Sequence, residues 1–359
     1  MRKERGPDRW LTISVVLLSL FGVLMVFDSS VAIAIRDFSD QYYFAREQLK
    51  WLVVGLIGFT VASLVPYKLW HKLALPILLV TLFLLIVVFI PGVGVRALGA
   101  NRWINLGLFI LQPAELAKLA MVIYLSAWFS AQEKGRFGAF LLLIGMVVGL
   151  VILEPDLGTS IILVSIALSL YFFSGAPLVH FLLLVPVLAA CGILLAVTSP
   201  YRAQRLLTFF NPQHDPLGAS YQVRQGLLAF GSGGLTGVGI GKSRQKYEYL
   251  PEANTDSIFA IIGEEIGFVG AAAVLGGFLF IISRGFRIAT RAPDTFGRLL
   301  VLGVASWVGV QTCINIAAMV ALIPLTGVPL PFISYGGSSL IILLFAMGIV
   351  SNISRYRHE

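Results

Sequence analysis

Of the 359 residues only 12% are Asp, Glu, Lys or Arg, 58% are hydrophobic, and the mean hydropathy is +0.90. A soluble domain carries roughly 25% charged residues to meet water, so this composition excludes one and fits an integral membrane protein. The net charge of +8 lies mostly in short stretches between apolar runs. No basic patch is interleaved with aromatics, which argues against a nucleic-acid partner and for membrane topology.

In chain order, Arg2, Lys3, Arg5 and Arg9 precede an apolar run from Trp10 to Phe27, with a formal A-x-A site at Ala32-Ile33-Ala34. The run exceeds the h-region of a signal peptide and further spans follow, so it reads as an uncleaved first transmembrane helix. A bilayer core of ~30 Å needs roughly 20 apolar helical residues. Ten segments qualify: 10–28, 49–65, 72–90, 113–130, 137–153, 157–174, 177–197, 256–283, 297–323 and 332–353. The fold class expected is an all-α membrane protein with ten transmembrane helices, residues 1–359 forming one polytopic domain. With the N-terminus inside, the inner segments hold fourteen Lys and Arg and the short outer loops hold five. Both termini are therefore expected in the cytoplasm.

Residues 198–255 form one long extracytoplasmic loop between the seventh and eighth spans. It carries Arg202, Arg205, Arg224, Lys242, Arg244 and Lys246, with aromatic and Leu residues throughout, so it reads as ordered, its glycine-rich run 231–241 marking turns. A basic outer loop runs against the topology rule and suggests an anionic ligand at the outer leaflet. Two formal motifs fail in context. Gly92-Val93-Gly94-Val95-Arg96-Ala97 has no preceding strand, and Gly241-Lys242-Ser243 lacks the first Gly of a phosphate loop. Cys191 and Cys313 lie in apolar runs and read as buried thiols, without zinc spacing or a disulfide framework. Gly145 and Gly149, and Gly263 and Gly267, are four apart and are expected to permit close helix packing.

Ionisable groups at membrane depth are functional candidates by default, because burying them is expensive. Glu115 and Lys118 share a face at the start of the fourth span, after Pro113. They form either a self-satisfied ion pair or a cavity wall in which Lys118 meets a phosphate. Glu154 and Asp156 precede the sixth span as dipole partners, and Glu264 and Glu265 lie two turns into the eighth. Asp256, in Asn254-Thr255-Asp256-Ser257, sits where the basic loop meets the eighth span. It is either a helix N-cap or a general base whose pKa burial raises.

Several stretches are recognisable as an ordered set. They are Gly99-Ala100-Asn101-Arg102-Trp103-Ile104, Gln112-Pro113-Ala114-Glu115-Leu116-Ala117-Lys118, Glu154-Pro155-Asp156-Leu157-Gly158-Thr159, Asn211-Pro212 and Tyr221-Gln222-Val223-Arg224-Gln225. Then come Leu250-Pro251-Glu252, Thr255-Asp256-Ser257-Ile258-Phe259-Ala260, Gly263-Glu264-Glu265-Ile266-Gly267 and Pro329-Leu330-Pro331-Phe332-Ile333-Ser334-Tyr335-Gly336-Gly337-Ser338-Ser339. The chain resembles the SEDS family (shape, elongation, division, sporulation) over essentially its whole length, most closely its rod-shape branch. Glu154 departs from the Gln common in the family.

The resemblance implies a bacterial inner-membrane peptidoglycan glycosyltransferase that polymerises lipid II for cell elongation and rod shape. It implies a class B penicillin-binding protein as partner, beside lipid II, the nascent glycan strand and membrane lipids. Asp256 matches the family's essential acid, and Glu115 and Lys118 its Glu and Lys. Transfer of a sugar needs a base for the acceptor hydroxyl and positive charge for the lipid pyrophosphate. Lys118, Arg205, Arg224, Lys242 and Arg244 are candidates for the latter. A divalent cation (Mg2+ or Mn2+) could assist with the pyrophosphate, although no acidic cluster demands a protein-bound metal. Ser334, Tyr335 and Ser338 supply hydroxyls at the entry to the tenth span. A lipid-linked precursor flippase, a division-type sibling enzyme and a non-catalytic scaffold are the rival readings.

Overall fold

The computed structural model describes residues 6–97, 100–105, 107, 110–131, 137–197, 200–210 and 219–356. Arg2, Lys3, Arg5, Gly99, Lys134, Arg136, Asn211, Pro212 and Arg357 lie outside them. In order the helices are α1 (Arg9–Phe38), α2 (Tyr43–Leu64), α3 (Lys68–Val87), α4 (Pro113–Ser130), α5 (Phe137–Leu153) and α6 (Leu157–Phe173). Then follow α7 (Leu178–Val197), α8 (Pro200–Phe210), α9 (Ala219–Gly233), α10 (Ile258–Ala289), α11 (Thr295–Met319) and α12 (Gly337–Ile353).

Each expected apolar segment is occupied by a helix. Six of these, α1, α2, α3, α7, α10 and α11, are long and apolar enough to cross a membrane, and α5, α6 and α12 are shorter apolar helices. Two expectations need correction. The fold is not all-α: β1 (Gly94–Ala97), β2 (Ala100–Asn105) and β3 (Ile110–Leu111) form an antiparallel three-stranded sheet between α3 and α4. Strands of 4, 6 and 2 residues are too short for alternation to register in sequence. The segment read as a long loop also contains the helices α8 and α9.

α4 is the central helix. It packs against α3, α6, α11 and α12, and buries Ala114, Ala117, Ala120, Met121 and Ile123 at 5% exposure or less. Large apolar side chains such as Leu17, Ile57, Phe83 and Leu182 cover the outside. This inversion corrects the cysteines: Cys191 and Cys313 are exposed. In a membrane protein an apolar run marks lipid-facing surface as readily as interior. Gly145 and Gly149 likewise face open space, whereas the ring of Phe230 covers Gly263.

α10 is broken at Gly267, whose φ of 71° and ψ of −170° interrupt the helix. A helix break exposes backbone groups that hydrocarbon cannot satisfy. The segment after α9 supplies their partners. Val238 N donates to Glu264 O and Gly239 N to Glu265 O, both at 3.0 Å; Phe268 N donates to Gly234 O at 2.9 Å and Val269 N to Leu235 O at 3.1 Å. The glycine-rich run thus ends α9 and then mends α10 from outside.

Gly267→Ala would place a Cβ 2.3 Å from Gly237 N and 2.6 Å from Leu235 O, at a φ that by itself costs about 1–3 kcal/mol. The variant is expected to melt well below wild type in detergent. Gly145→Ala, with nothing within 4 Å, is expected to melt with wild type.

Candidate active site

The segment before α10 is built from turns. Glu252 has a left-handed φ of 53°, and its carbonyl accepts from Thr255 N at 3.2 Å and Ser257 N at 3.0 Å. This curl presents Asp256 one residue ahead of the helix. The N-cap position falls to Ser257, which makes no side-chain cap bond. Asp256 is therefore not the helix cap that its position allowed.

Three further elements hold the segment. Asn315 of α11 donates through Nδ2 to Asp256 O at 2.8 Å. Gln222 of α9 donates through Nε2 to Ser257 Oγ at 2.9 Å. In the loop before α12, Ser334 Oγ donates to Thr255 O at 2.6 Å and Tyr335 N to Asn254 O at 2.9 Å. The half-buried Asp256 lines a cleft with Arg205, Gln222, Asn315, Thr326 and Gly327. Gly327, at φ 72°, forms its wall: a Cβ there would stand 3.4 Å from Asp256 Oδ2 and 3.9 Å from Arg205 Nη1. Arg205 reaches in from α8 and donates to Leu325 O at 3.2 Å.

Burial pushes the Asp256 carboxyl up from 3.8 to about 7; Glu252 and Asp156 add to the rise, and Arg205 and Arg102 oppose it. A carboxyl poised there can take a proton near neutral pH. Glu154, in the turn between α5 and α6, is fully buried, and among the described residues neither carboxyl oxygen has a hydrogen-bond partner. Burial, helped by Asp156 and opposed by Arg102, pushes it to about 8. Asp156 caps α6, accepting from Thr159 N at 3.0 Å and Thr159 Oγ1 at 2.8 Å. It also accepts from Gln112 Nε2 at 3.3 Å.

Other expected site residues are engaged elsewhere. Lys118 is 1% exposed, bonded to Glu115 Oε1 at 2.7 Å and Gln311 Oε1 at 3.1 Å, with its Nζ 5.1 Å from the Trp307 ring centroid. Lys118 and Glu115 thus form a buried ion pair, in which Glu115 Oε2 has no hydrogen-bond partner among the described residues. Glu264 accepts from Ser243 Oγ and, at 3.1 Å, from Arg244 N. Glu265 accepts from Ser243 N at 3.0 Å and Lys246 Nζ at 3.1 Å. Lys246 also reaches Asp28 of α1 at 2.7 Å; burial lowers its pKa, but the Asp28 and Glu265 carboxylates outweigh that and hold it raised. Both glutamates thus clamp the 243–246 segment. Arg224, Lys242 and Arg244 are exposed and do not line the Asp256 cleft. Ser338 Oγ donates to Ile110 O at 2.8 Å and accepts from Gln112 N at 3.3 Å, joining the sheet to α12. Among the described residues, no group of three or more His, Cys, Asp or Glu is placed to hold a metal ion.

Arg102, Gln222, Asn315 and Thr326 were not singled out as site residues. Arg102 donates to the carbonyls of Glu154 at 2.9 Å and Pro155 at 2.7 Å. Gln311 and Asn315 stand four apart in an apolar helix, one face of it. That spacing is the signal in the sequence for these two amides, which carry no charge to mark them.

The model of the FtsW/RodA/SpoVE family, described as cell cycle proteins, matches residues 8–359. A probable peptidoglycan glycosyltransferase FtsW of Trichlorobacter lovleyi is 40% identical over 97% of this chain and 93% of its own length. Stage V sporulation protein E of Bacillus subtilis is 40% identical over 99% of this chain and 98% of its own. Among solved structures, a chain from a peptidoglycan synthase complex, described under polymerization and crosslinking, superposes with a TM-score of 0.80 at 29% identity, covering 97% of this chain and 98% of that one. The rod shape determining protein RodA of Thermus thermophilus does so at 0.73 and 28%, covering 98% of each.

Removing one member of a buried ion pair leaves a charge without compensation, which costs about 3–5 kcal/mol. Lys118→Met is expected to lower the melting temperature sharply. Adding Glu115→Gln to it is expected to recover most of the loss in the same measurement.

Proposed function

The chain belongs to the FtsW/RodA/SpoVE family, the SEDS family of the sequence resemblance, and from that premise we propose that it is a peptidoglycan glycosyltransferase polymerising lipid II. The observation that carries this reading is the half-buried Asp256, tuned to about 7, facing one cleft with Arg205. Asp256 takes the proton from the acceptor sugar hydroxyl as its oxygen bonds to the anomeric carbon of the donor. The bond from that carbon to the diphosphate breaks, and the electron pair leaves on the diphosphate. Arg205 is the basic candidate at the cleft and faces that charge. The exposed Arg224, Lys242 and Arg244 suit the first encounter with an anionic headgroup. Lys118 and Glu115 act through the core that they hold. A divalent cation, Mg2+ or Mn2+, would enter with the diphosphate and supply further positive charge.

The reading extends to topology and partners. Ten spans cross the bacterial cytoplasmic membrane, both termini lie in the cytoplasm, and residues 198–255 lie on the outer face, where lipid II is polymerised. A class B penicillin-binding protein is the partner that crosslinks the product, supported by the synthase complex that this chain resembles. The FtsW and SpoVE relatives at 40% identity support a division or sporulation role over the rod-shape role that the motifs suggested.

Purified protein, with and without the cognate penicillin-binding protein, is expected to polymerise labelled lipid II in liposomes. Asp256→Asn and Asp256→Ala should abolish polymer while remaining folded. Lipid II moved between leaflets without polymer would instead identify a flippase. A general base acts deprotonated, so kcat/KM should fall about tenfold per pH unit below a midpoint near 7. Glu252→Gln removes a negative charge that favours protonation of Asp256, and should move that midpoint to lower pH.

A further inference from the structure

Two residues that line the Asp256 cleft, Asn315 and Thr326, each carry a buried side-chain oxygen without a hydrogen-bond partner among the described residues. Asn315 is 1% exposed, and its Nδ2 spends both hydrogens, on Asp256 O and on Val328 O, each at 2.8 Å. Turning this amide over would set oxygen against two carbonyl oxygens, so its orientation is determined. Oδ1 is therefore a fixed acceptor, buried and without a partner among the described residues. Thr326 Oγ1, in the loop before α12, is also buried without a partner. Both residues line the cleft that Asp256 and Arg205 share. Native proteins rarely leave buried polar atoms unpaired, and each one calls for an explanation, such as strain, a bound water or ion, or a catalytic role.

The chemistry of the two atoms restricts what they can hold. Asn315 Oδ1 only accepts, so its ligand must bring a hydrogen. A diphosphate oxygen brings none and would meet Asn315 Oδ1 and the Asp256 carboxylate as like against like. A sugar hydroxyl next to the reacting one satisfies both oxygens, donating to Asn315 while accepting from Thr326, and leaves the hydrogen of the reacting hydroxyl to Asp256. The cavity measures about 10 Å³, close to the space of one water-sized group. It takes one hydroxyl; the rest of the sugar would lie at its mouth.

We propose that Asn315 Oδ1 and Thr326 Oγ1 form the subsite that orients the hydroxyl-bearing acceptor sugar toward Asp256, with the diphosphate of the donor on the Arg205 side. This rests on the reading of Asp256 as the base, and it assigns the two unused oxygens to the neutral half of the reaction. Asn315 has a second duty, because its Nδ2 holds the Asp256 segment. Thr326 Oγ1 has no hydrogen-bond partner among the described residues, so it is the residue to change.

Thr326→Val removes the hydroxyl at nearly constant shape, and Thr326→Ser keeps it. Lipid II polymerisation by the purified full-length chain is the assay, with melting temperature and the pH dependence of kcat/KM measured alongside. Thr326→Val is expected to melt at or above wild type, since a buried unpaired polar atom is gone. Its kcat/KM should fall about tenfold or more, with the pH midpoint unmoved, and Thr326→Ser should restore the rate. Wild-type activity in Thr326→Val overturns the subsite. Equal loss in the valine and serine variants also overturns it, because shape and not the hydroxyl would then matter. A shifted pH midpoint in Thr326→Val overturns it as well, since the change would then act through Asp256. Asp256→Asn, assayed in parallel, separates the two readings: an active Asp256→Asn removes the base on which the subsite rests. An inactive Asp256→Asn beside a fully active Thr326→Val removes the subsite alone.

Discussion

The amide of Asn315 gives its two hydrogens to the carbonyls of Asp256 and Val328, and two loops meet α11 through that one side chain. Neither loop is helical, so its buried backbone groups need partners outside the regular ladders. The remaining stitches follow the same requirement. Ser334 joins Leu330 N to Thr255 O, Gln311 donates to Pro329 O at 2.9 Å, and Gln48 donates to Ser334 O at 3.2 Å. Gln311 continues the chain to Lys118 and Glu115 on α4. The position of Asp256 is thus connected through buried polar side chains to the central helix.

The same constraint accounts for the break in α10. A transmembrane helix interrupted at Gly267 would be prohibitive alone, and four backbone bonds from residues 234–239 make it tenable. The buried carboxylates of Glu264 and Glu265 then anchor residues 243–246, and Lys246 ties that anchor to Asp28 of α1. The segment after α9 and the first half of α10 therefore form one hydrogen-bonded unit leading into Asp256. What looked in sequence like expensive intramembrane charge is the fastening of an irregular backbone.

Charge is distributed around the cleft in a way that suits its chemistry. Arg205 and Arg102 oppose the rise in the Asp256 pKa, while Glu252 and Asp156 promote it. The carboxyl is held near neutrality by this balance together with desolvation, the largest cause. Burial likewise raises the carboxyl of Glu154, two residues before Asp156, whose oxygens have no hydrogen-bond partner among the described residues.

The sequence by itself determined the membrane class and the positions of ten helices, and it drew attention to Asp256 just before α10. Composition and run length are local properties, and the hydrocarbon that they answer to is uniform. It also placed Asp156 correctly at the start of α6, because capping is decided within four residues. It did not determine which charges serve the cleft, because Lys118, Arg224, Lys242 and Arg244 are equally basic in sequence and only packing separates a buried ion pair from an exposed side chain. Cys191 and Cys313 read as buried because an apolar run does not say which face meets lipid. Asn315 and Thr326 are unremarkable polar residues until Asp256, 59 positions from Asn315, is folded against them. Hydrogen bonds between distant loops decide which oxygens are spent and which remain, and that remainder exists only in the tertiary structure.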